Sequence, residues 1–227
     1  MRAPISVIIP TLNAATALPA CLMALGEGLQ EGLIRELIVS DGGSTDTTLA
    51  TAEAAGARIV TGPASRGGQL RRGAARAQGD WLLVLHADTR LAPGWTAPVL
   101  AHLSGDSAAA FRLRFDSRHP MARLTEGWAN LRSRLFQLPY GDQALLLPRA
   151  LYDAAGGYPD QPLMEDVALA RALKGKITLL PAKALTSADR YRRDGWLRRG
   201  ARNLVTLVRY ATGTPPETLA KGYHRRS

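Results

Sequence analysis

Short apolar runs alternate with helical segments through the first part of the chain, and this alternation limits the fold more than any other feature. Strands rich in β-branched residues and leucine are predicted at 5–9, 33–40, 57–61 and 81–86. Helices are predicted between them, at 13–25 with Asn13 as N-cap, at 47–55 and at 69–78. Nearly continuous apolar strands separated by helices are typical of a parallel sheet covered on both faces. We therefore predict an α/β fold with a Rossmann-like, mostly parallel mixed sheet.

The pattern becomes mixed after residue 104. Further strands are predicted at 109–115 and 144–147, and further helices at 121–136 and 165–173. The chain has no internal repeat and no long Ser/Gly linker, so we predict one domain at 1–188, with halves at 1–104 and 105–188. A basic, helical C-terminal segment at 189–227 follows it.

The charge of the chain is concentrated near its end. The formal net charge is +10, and residues 190–227 carry ten Lys/Arg and two Asp/Glu, a net charge of +8 that leaves +2 for the rest. The single cysteine excludes an intrachain disulfide and a cysteine zinc cluster. No apolar run is long enough to span a membrane, and the first apolar run meets a proline too early for a signal peptide. We therefore expect a cytoplasmic protein.

Polar residues follow the second strand, from Asp41 to Asp46, where Gly42 and Gly43 allow a sharp turn. A plain turn with a helix cap explains this segment as well as a binding loop does. The glycine spacing is not that of a dinucleotide-binding loop, so we exclude that class of site.

His86 and Asp88 close the most apolar strand. Alternation along an extended segment would place both side chains on one side, where they could share a divalent ion. The carboxylate suits Mg²⁺ or Mn²⁺, and the imidazole shifts the preference towards Mn²⁺. The alternative is a polar strand end that caps the next helix.

Four arginines surround Gly67 and Gly68 at the predicted start of a helix: Arg66, Arg71, Arg72 and Arg76. Glycine, a helix N-terminus and guanidinium groups together are a recurring way to hold phosphate. Arg71 and Arg72 are the preferred candidates, and Arg76 is equally explained as part of a solvated helix face.

Four segments, taken in order, resemble family 2 glycosyltransferases with the GT-A fold across roughly residues 4–180. They are SVIIPTLNA (6–14), IVSDGGSTDTT (38–48), the HAD triplet (86–88) where that family has Asp-x-Asp, and GGYPDQPLMEDVALARALK (156–174). Within that family the chain most resembles a compact subgroup associated with radical-SAM enzymes and arsenosugar biosynthesis.

The resemblance implies an inverting transfer from a nucleotide-diphosphate sugar, a UDP- or GDP-sugar, to an acceptor hydroxyl, with a bound divalent metal. It makes 1–104 the nucleotide-binding half and 105–188 the acceptor half. Asp41 would reach the base, Asp88 would take the metal, and Asp166 would be the catalytic base beside Glu165. The full nucleotide set is Pro10, Thr11, Asn13, Asp41, Gly43, Arg66, Arg71, Arg72, His86, Ala87 and Asp88, and the metal pair is His86 and Asp88.

Several readings stay open beside this one. Glu165 and Asp166 also suit the acidic first turn of a helix, and Asp142 with Gln143 is either an acceptor contact or a plain turn. His86 and Gly42 stand where the family has aspartates. The Gln-x-x-Arg-Trp motif of processive members has no match, so we expect a non-processive enzyme. The resemblance to the arsenosugar-associated subgroup implies a small-molecule acceptor, and a lipid acceptor is the alternative. The rivals are a nucleotide-sugar-binding protein without transferase activity and a basic adaptor on this fold.

The segment 196–210 reads as a basic amphipathic helix. It could lie on the inner face of an anionic membrane as a peripheral contact, or it could pack its apolar side on its own domain. We favour packing on the domain, because a short helix is only marginally stable in water without a partner surface. Aromatic residues for base stacking are few, so we expect no nucleic-acid partner. A homodimer through the second half or this segment is a further expectation.

Overall fold

The computed structural model describes residues 3–173 and 175–224. The predicted ranges 1–188 and 189–227 also include residues 1–2, 174 and 225–227, which lie outside the described residues. The strands are β1 (Ile5–Thr11), β2 (Ile34–Asp41), β3 (Arg58–Thr61), β4 (Trp81–Val84), β5 (Thr89–Leu91), β6 (Ala108–Phe115), β7 (Leu145–Pro148) and β8 (Ile177–Thr186). The helices are α1 (Leu18–Ala24), α2 (Gly26–Gln30), α3 (Thr48–Ala54), α4 (Arg66–Arg76), α5 (Thr96–His102), α6 (Pro120–Phe136), α7 (Arg149–Ala154), α8 (Glu165–Ala172), α9 (Asp189–Asp194), α10 (Trp196–Ala211) and α11 (Pro216–His224), with a 3₁₀ turn at Gly141–Gln143.

The strands form one eight-stranded sheet in the order β3-β2-β1-β4-β7-β6-β8-β5. The pairs β1–β2, β2–β3, β1–β4 and β6–β8 are parallel, and β4–β7, β6–β7 and β5–β8 are antiparallel. The predicted mixed, mostly parallel sheet is confirmed. Because of these directions, the C-terminal ends of β1, β4, β6 and β8 and the segment that precedes β7 all reach the same edge of the sheet.

Helices cover both faces of the sheet, as the apolar strands predict. On one face Val7 and Ile9 pack in a cluster with Leu18 of α1 and Trp95, while on the other Ile8 packs with Leu70 of α4. Successive side chains of β1 thus point to opposite layers, as the strand period of two requires.

One sequence prediction about these elements is wrong, and one strand was not predicted. Asn13 does not cap the first helix: it has a φ of 50°, and α1 begins at Leu18 after Ala17. The long strand β8 was not predicted, because Pro181 interrupts it and proline is rare inside a central strand. The sheet accommodates the proline at an irregularity, since the register with β6 shifts between Ala110 and Arg112.

The C-terminal segment packs against the domain. The Trp196 ring lies 4.9 Å from the Tyr191 ring and 5.3 Å from the Phe115 ring at the end of β6, and it stacks on His119 at 5.6 Å. On α11, Leu219 packs with Leu163, just before α8. Residues 189–224 therefore brace the edge of the sheet where the strand ends converge.

Candidate functional site

A cleft of about 600 Å³ opens at that edge. The ends of β1 and β4 and the start of α4 form one side of it, the segments before β7 and α8 form the other, and residues of the C-terminal segment close it. Seven predicted nucleotide residues line the cleft: Pro10, Thr11, Asn13, Arg66, His86, Ala87 and Asp88. Asp142 and Asp166 line it from the other half.

Asp41 lies beneath this surface. Its carboxylate is fully buried, and it accepts hydrogen bonds from the Thr11 and Ser44 hydroxyls at 2.8 and 2.5 Å and from the backbone N–H groups of Gly43 and Ser44, both at 2.7 Å. Burial raises the pKa of Asp41, but these hydrogen bonds outweigh it and hold the pKa below its ordinary value. Asp41 and Gly43 thus shape the loop and do not line the cleft, and the contact of Asp41 with a base stays a prediction.

Gln69 is a structural residue that the sequence analysis missed. Its amide donates to the Thr11 carbonyl at 2.7 Å and to the Ser40 carbonyl at 3.0 Å, and so ties the ends of β1 and β2 together. A Cβ on Gly42 would lie 3.1 Å from the Gln69 amide, so little space remains for the second aspartate that the family usually has there.

Arg71 and Arg72 do not line the cleft, so their contact with the nucleotide stays a prediction. The helix α4 begins at Arg66 and not at Gln69. At about 100° per residue, Arg71 lies roughly opposite the side that carries Arg66 and Gln69, whereas Arg72 lies about 60° around the helix from Gln69. Arg71 is exposed, while Arg72 donates to the Pro63 carbonyl at 2.9 Å.

The chain itself occupies the N-terminus of α4. The Gly67 N–H donates to the Gln161 carbonyl at 3.1 Å, and a Cβ on Gly67 would lie 2.0 Å from the Pro159 carbonyl oxygen. The Ser65 hydroxyl caps Gly68 and donates to Asp160 at 2.6 Å. Gly67 and Gly68 therefore allow close packing of the 159–161 segment, and the Gly67 N–H is already used in a hydrogen bond within the protein.

His86, Gly141 and Asp166 form a contact at the centre of the cleft. The Gly141 N–H donates to Asp166 Oδ2 at 2.7 Å, and the Val167 N–H donates to Asp166 Oδ1 at 2.7 Å. A Cβ on Gly141 would lie 2.3 Å from both Cε1 and Nε2 of His86. The imidazole edge thus packs directly on Gly141, whose backbone in turn orients the Asp166 carboxylate.

The sequence predicts His86 and Asp88 on one extended segment, but they lie in a turn. The strand β4 ends at Val84, and the Thr89 N–H donates to the His86 carbonyl at 3.0 Å, which closes a turn. Both side chains nevertheless reach the cleft. Burial, and then the Arg66 charge, lower the pKa of His86 to about 4, so its imidazole is neutral at neutral pH.

Glu165 and Asp166 point to different places although they are neighbours. Met164, in the left-handed region with a φ of 65°, turns the chain directly before them. Asp166 lines the cleft, whereas Glu165 is buried behind it, with Oε1 3.7 Å from Nε of Arg66. Burial, and then the Asp166 charge, raise the pKa of Glu165 to about 7 against the opposing effect of Arg66. Glu165 therefore sits behind Arg66 and does not line the cleft.

The predicted acceptor pair also separates. Gln143 is fully buried, donates to the Phe111 carbonyl at 3.1 Å and accepts from the Ser133 hydroxyl at 2.6 Å, so it is structural. Asp142 lines the cleft, and its Oδ1 is buried without a hydrogen-bond partner. Burial raises the pKa of Asp142 to about 6 despite Arg132, and the charges of Asp166 and Asp88 raise it further.

The cleft has further walls that the sequence analysis missed. Tyr140 lines it and stacks under the Arg132 guanidinium, 3.5 Å from the ring centroid. From the C-terminal segment come Arg190, Tyr191, Arg199 and Asn203. Arg190 lies close enough to His86 to lower its pKa. The excess of arginine in this segment was visible in the sequence, but its proximity to the cleft was not.

Comparisons with known proteins agree with this architecture. A family model described as Glycosyl transferase family 2 matches residues 6–149. A PGL/p-HBAD biosynthesis glycosyltransferase of Mycobacterium tuberculosis is 34% identical over 167 residues, which cover 70% of this chain and 64% of that protein. The chain thus spans less than two thirds of the length of this relative.

Solved structures share the fold. A crystal structure of a mycobacterial protein is 25% identical, with a TM-score of 0.55 over 81% of this chain and 65% of that one. Glucosyl-3-phosphoglycerate synthase from M. tuberculosis, in complex with Mn²⁺, UDP and phosphoglyceric acid, is 24% identical, with a TM-score of 0.56 over 78% and 67%. TarS from S. aureus is 16% identical, with a TM-score of 0.63 over 82% and 60%. Together with the family match over more than half of its residues, these findings show that the chain belongs to glycosyl transferase family 2.

Proposed function

We propose that the chain transfers a sugar from a nucleotide-diphosphate donor to an acceptor hydroxyl, in one step and with inversion at the sugar carbon. One observation carries the proposal: a single cleft brings together an oriented carboxylate, Asp166, a second carboxylate, Asp88, and the cations Arg66 and Arg190. A displacement of this kind needs a base at the acceptor and positive charge at the leaving group.

Asp166 suits the role of the base. Two backbone N–H groups, from Gly141 and Val167, fix its carboxylate, one at each oxygen. Each oxygen keeps a further lone pair, so the carboxylate can take the proton of an acceptor hydroxyl while its orientation is maintained. As the hydroxyl oxygen attacks the sugar carbon, the bond from that carbon to the diphosphate breaks.

Arg66 and Arg190 suit the stabilisation of the departing diphosphate. Both lower the pKa of His86, which indicates that both charges lie near the imidazole, and both line the cleft. Arg66 is supported from behind by Glu165. These two arginines take the role that the sequence analysis gave to Arg71 and Arg72.

The donor set also fits a divalent ion. Asp88 faces the cleft with the neutral imidazole of His86 nearby, and the buried Asp142 Oδ1 lacks a hydrogen-bond partner. Among the described residues no three His, Cys, Asp or Glu side chains cluster tightly enough to hold a metal by themselves, so diphosphate oxygens and water would complete the shell. A bound Mn²⁺ or Mg²⁺ would withdraw electrons from the leaving diphosphate. In the synthase structure Mn²⁺ and UDP are present together.

The remaining expectations stay predictions: a UDP- or GDP-sugar donor, non-processive transfer to a small-molecule or lipid acceptor, the arsenosugar-associated subgroup, a homodimer and a cytoplasmic location. No helix among the described residues is long and apolar enough to cross a membrane. The rival function is a nucleotide-sugar-binding protein in which transfer has been lost.

The test compares Asp166→Asn with Asp153→Asn, an exposed aspartate on α7. Nucleotide release from a panel of UDP- and GDP-sugars is measured with Mn²⁺ or Mg²⁺, and donor binding by thermal shift. A general base contributes about 10²–10⁴-fold, so Asp166→Asn should lose at least a hundredfold in rate while its nucleotide-induced shift stays. Release that is equal in both variants would refute the role of Asp166, and nucleotide binding without release in the wild type would favour the rival.

The metal site has a separate readout. A nucleotide at a hundred times its Kd should raise the Tm by roughly 5–11 °C for a protein of this size. In the wild type this shift should need Mn²⁺ or Mg²⁺, and Asp88→Ala should abolish it. A full shift in EDTA would contradict metal-assisted binding.

A further inference from the structure

The helix α10 exposes apolar side chains and buries polar ones, the reverse of what is usual for a helix that packs on its own domain. Its exposed side carries Leu197, Leu204, Val205 and Val208, of which Leu197 is 76% exposed. At about 100° per residue these side chains form one stripe along the helix. Its buried residues are polar, Arg199 and Thr206. The expectation that the apolar side packs on the domain is therefore wrong for these four residues. The side that faces the domain combines the polar Arg199 and Thr206 with the half-buried ring of Trp196.

The helix α6 repeats the inversion. Leu124, Trp128, Leu131 and Leu135 follow the spacing i, i+4, i+7, i+11 of a single helical face, and all four are exposed. Its buried residues include Glu126, Arg132 and Ser133, all of which are hydrogen-bonded inside the protein. Two helices thus bury polar side chains and present leucines to the outside.

The two stripes meet. The helices are in contact, and Leu135 of α6 and Val208 of α10 line the same groove of about 680 Å³. We call the combined face, Leu124, Trp128, Leu131 and Leu135 with Leu197, Leu204, Val205 and Val208, the apolar face. A contiguous exposed surface of this kind marks a protein or membrane interaction site.

Cations border the apolar face. Arg198 and Arg209 are exposed next to the α10 stripe, and Arg134 is exposed on α6. The sequence of α10 contains no acidic residue, and the one acid of α6, Glu126, is buried against Arg114 and Arg123. Leucines with a half-exposed tryptophan, next to exposed arginines of the same two helices, match the boundary between acyl chains and anionic headgroups.

We propose that the apolar face docks the protein on the surface of an anionic membrane, with α6 and α10 lying in the plane of the headgroups. The charge favours this occupant over a second copy of the chain. A two-fold interface pairs a patch with itself, and it would bring the arginines of one copy towards those of the other. An anionic bilayer covers the leucines and pairs with the same arginines.

The experiment measures flotation of the full chain with vesicles of phosphatidylcholine alone or mixed with phosphatidylglycerol. The wild type should float with the mixed vesicles and much less with phosphatidylcholine alone. Leu131→Gln/Leu204→Gln should lower the partition constant at least about tenfold. The matched control is Leu29→Gln/Leu100→Gln, because these leucines are 61% and 59% exposed on α2 and α5, away from the face.

A second pair of variants tests the charge. Arg198→Gln/Arg209→Gln should weaken binding by about fivefold per arginine at low salt, whereas Arg58→Gln/Arg90→Gln, exposed arginines elsewhere, should not.

Three outcomes would overturn the proposal. The wild type fails to float with the mixed vesicles; the leucine variant floats as well as its control, so that attraction is only electrostatic; or sedimentation shows a dimer that the leucine variant dissociates. All substitutions are on exposed side chains, and circular dichroism checks that the variants fold.

Discussion

Gly141→Ala places one methyl group at the centre of the proposed catalytic site. Gly141 has no positive φ, so alanine can adopt its backbone conformation and only the contact matters. The new Cβ would lie 2.3 Å from two atoms of the His86 ring, where ordinary contacts begin at 3.4 Å. The ring or the Gly141 backbone must therefore move by about 1 Å or more, and the ring is not the end of a flexible chain.

The magnitudes follow from this displacement. Overpacking of a filled site costs about 1–3 kcal/mol, which lowers the Tm by roughly 2–12 °C for a chain of this length. The Gly141 N–H also orients Asp166 at 2.7 Å, and a shift of about 1 Å at a reacting group costs on the order of a hundredfold in rate. Gly127→Ala is the matched control, because nothing lies within 4 Å of its Cβ on α6.

The assay is thermal unfolding together with nucleotide release, completed by a double-mutant cycle. His86→Ala removes the ring that the methyl would meet, so Gly141→Ala should cost much less stability in the His86→Ala background than in the wild type. If Gly141→Ala is as stable and active as Gly127→Ala, or if its cost in stability is the same in both backgrounds, the contact with His86 does not constrain this site.

Three further predictions test other parts of the site. The pKa of Glu165 is raised from 4.5 to about 7, so the folded state holds a proton that the unfolded state loses at lower pH. The free energy of unfolding should therefore fall as the pH rises from about 4.5 to 7. Glu165→Gln should remove up to about 3 kcal/mol of this loss, as measured by urea unfolding at several pH values. Arg66→Ala should weaken nucleotide binding about tenfold and Arg71→Ala should leave it unchanged, as measured by titration calorimetry. Trp196→Ala should cost about 2–4 kcal/mol in urea unfolding and lower nucleotide release, because its ring stacks on Tyr191 in the cleft wall.

The sheet was predictable where the sequence pattern is local. Val7, Ile8 and Ile9 are flanked by turn residues, and each packs into the core as expected. The strand β8 was not predictable in this way, because Pro181 counts against a strand and its pairing with β6 depends on residues some seventy positions away. An irregularity that accommodates a proline is a property of the assembled sheet and leaves little trace in the strand itself.

The sequence predicted which types of residue reach the cleft better than it predicted how they are arranged there. The carboxylates Asp88, Asp142 and Asp166 reach the cleft, but the helix α4 begins three residues earlier than predicted. The earlier start places Arg66 in the first turn of the helix, at the cleft, whereas Arg71 and Arg72 lie in the second turn and do not line it. The position of Arg190 at the cleft follows from the pairing of β8 with β6, because the C-terminal segment begins where β8 ends. This pairing was not predicted from the sequence.

The helix α10 shows why amphipathicity alone does not identify a buried face. Its sequence pattern predicts that apolar and basic residues lie on different sides of the helix. Exposing leucine to water costs free energy, so the apolar side would be expected to be covered. In the structure Arg199 pairs with Asp194 at 2.7 Å on the inner side, with Asn203 also at the cleft, and the leucines are left outside. One helix, roughly 10–12 Å across, thus forms a wall of the cleft and half of the apolar face. An acceptor carried in a membrane would meet the cleft along α10. The same sixteen residues of this helix therefore contribute to both the proposed transfer site and the proposed membrane contact.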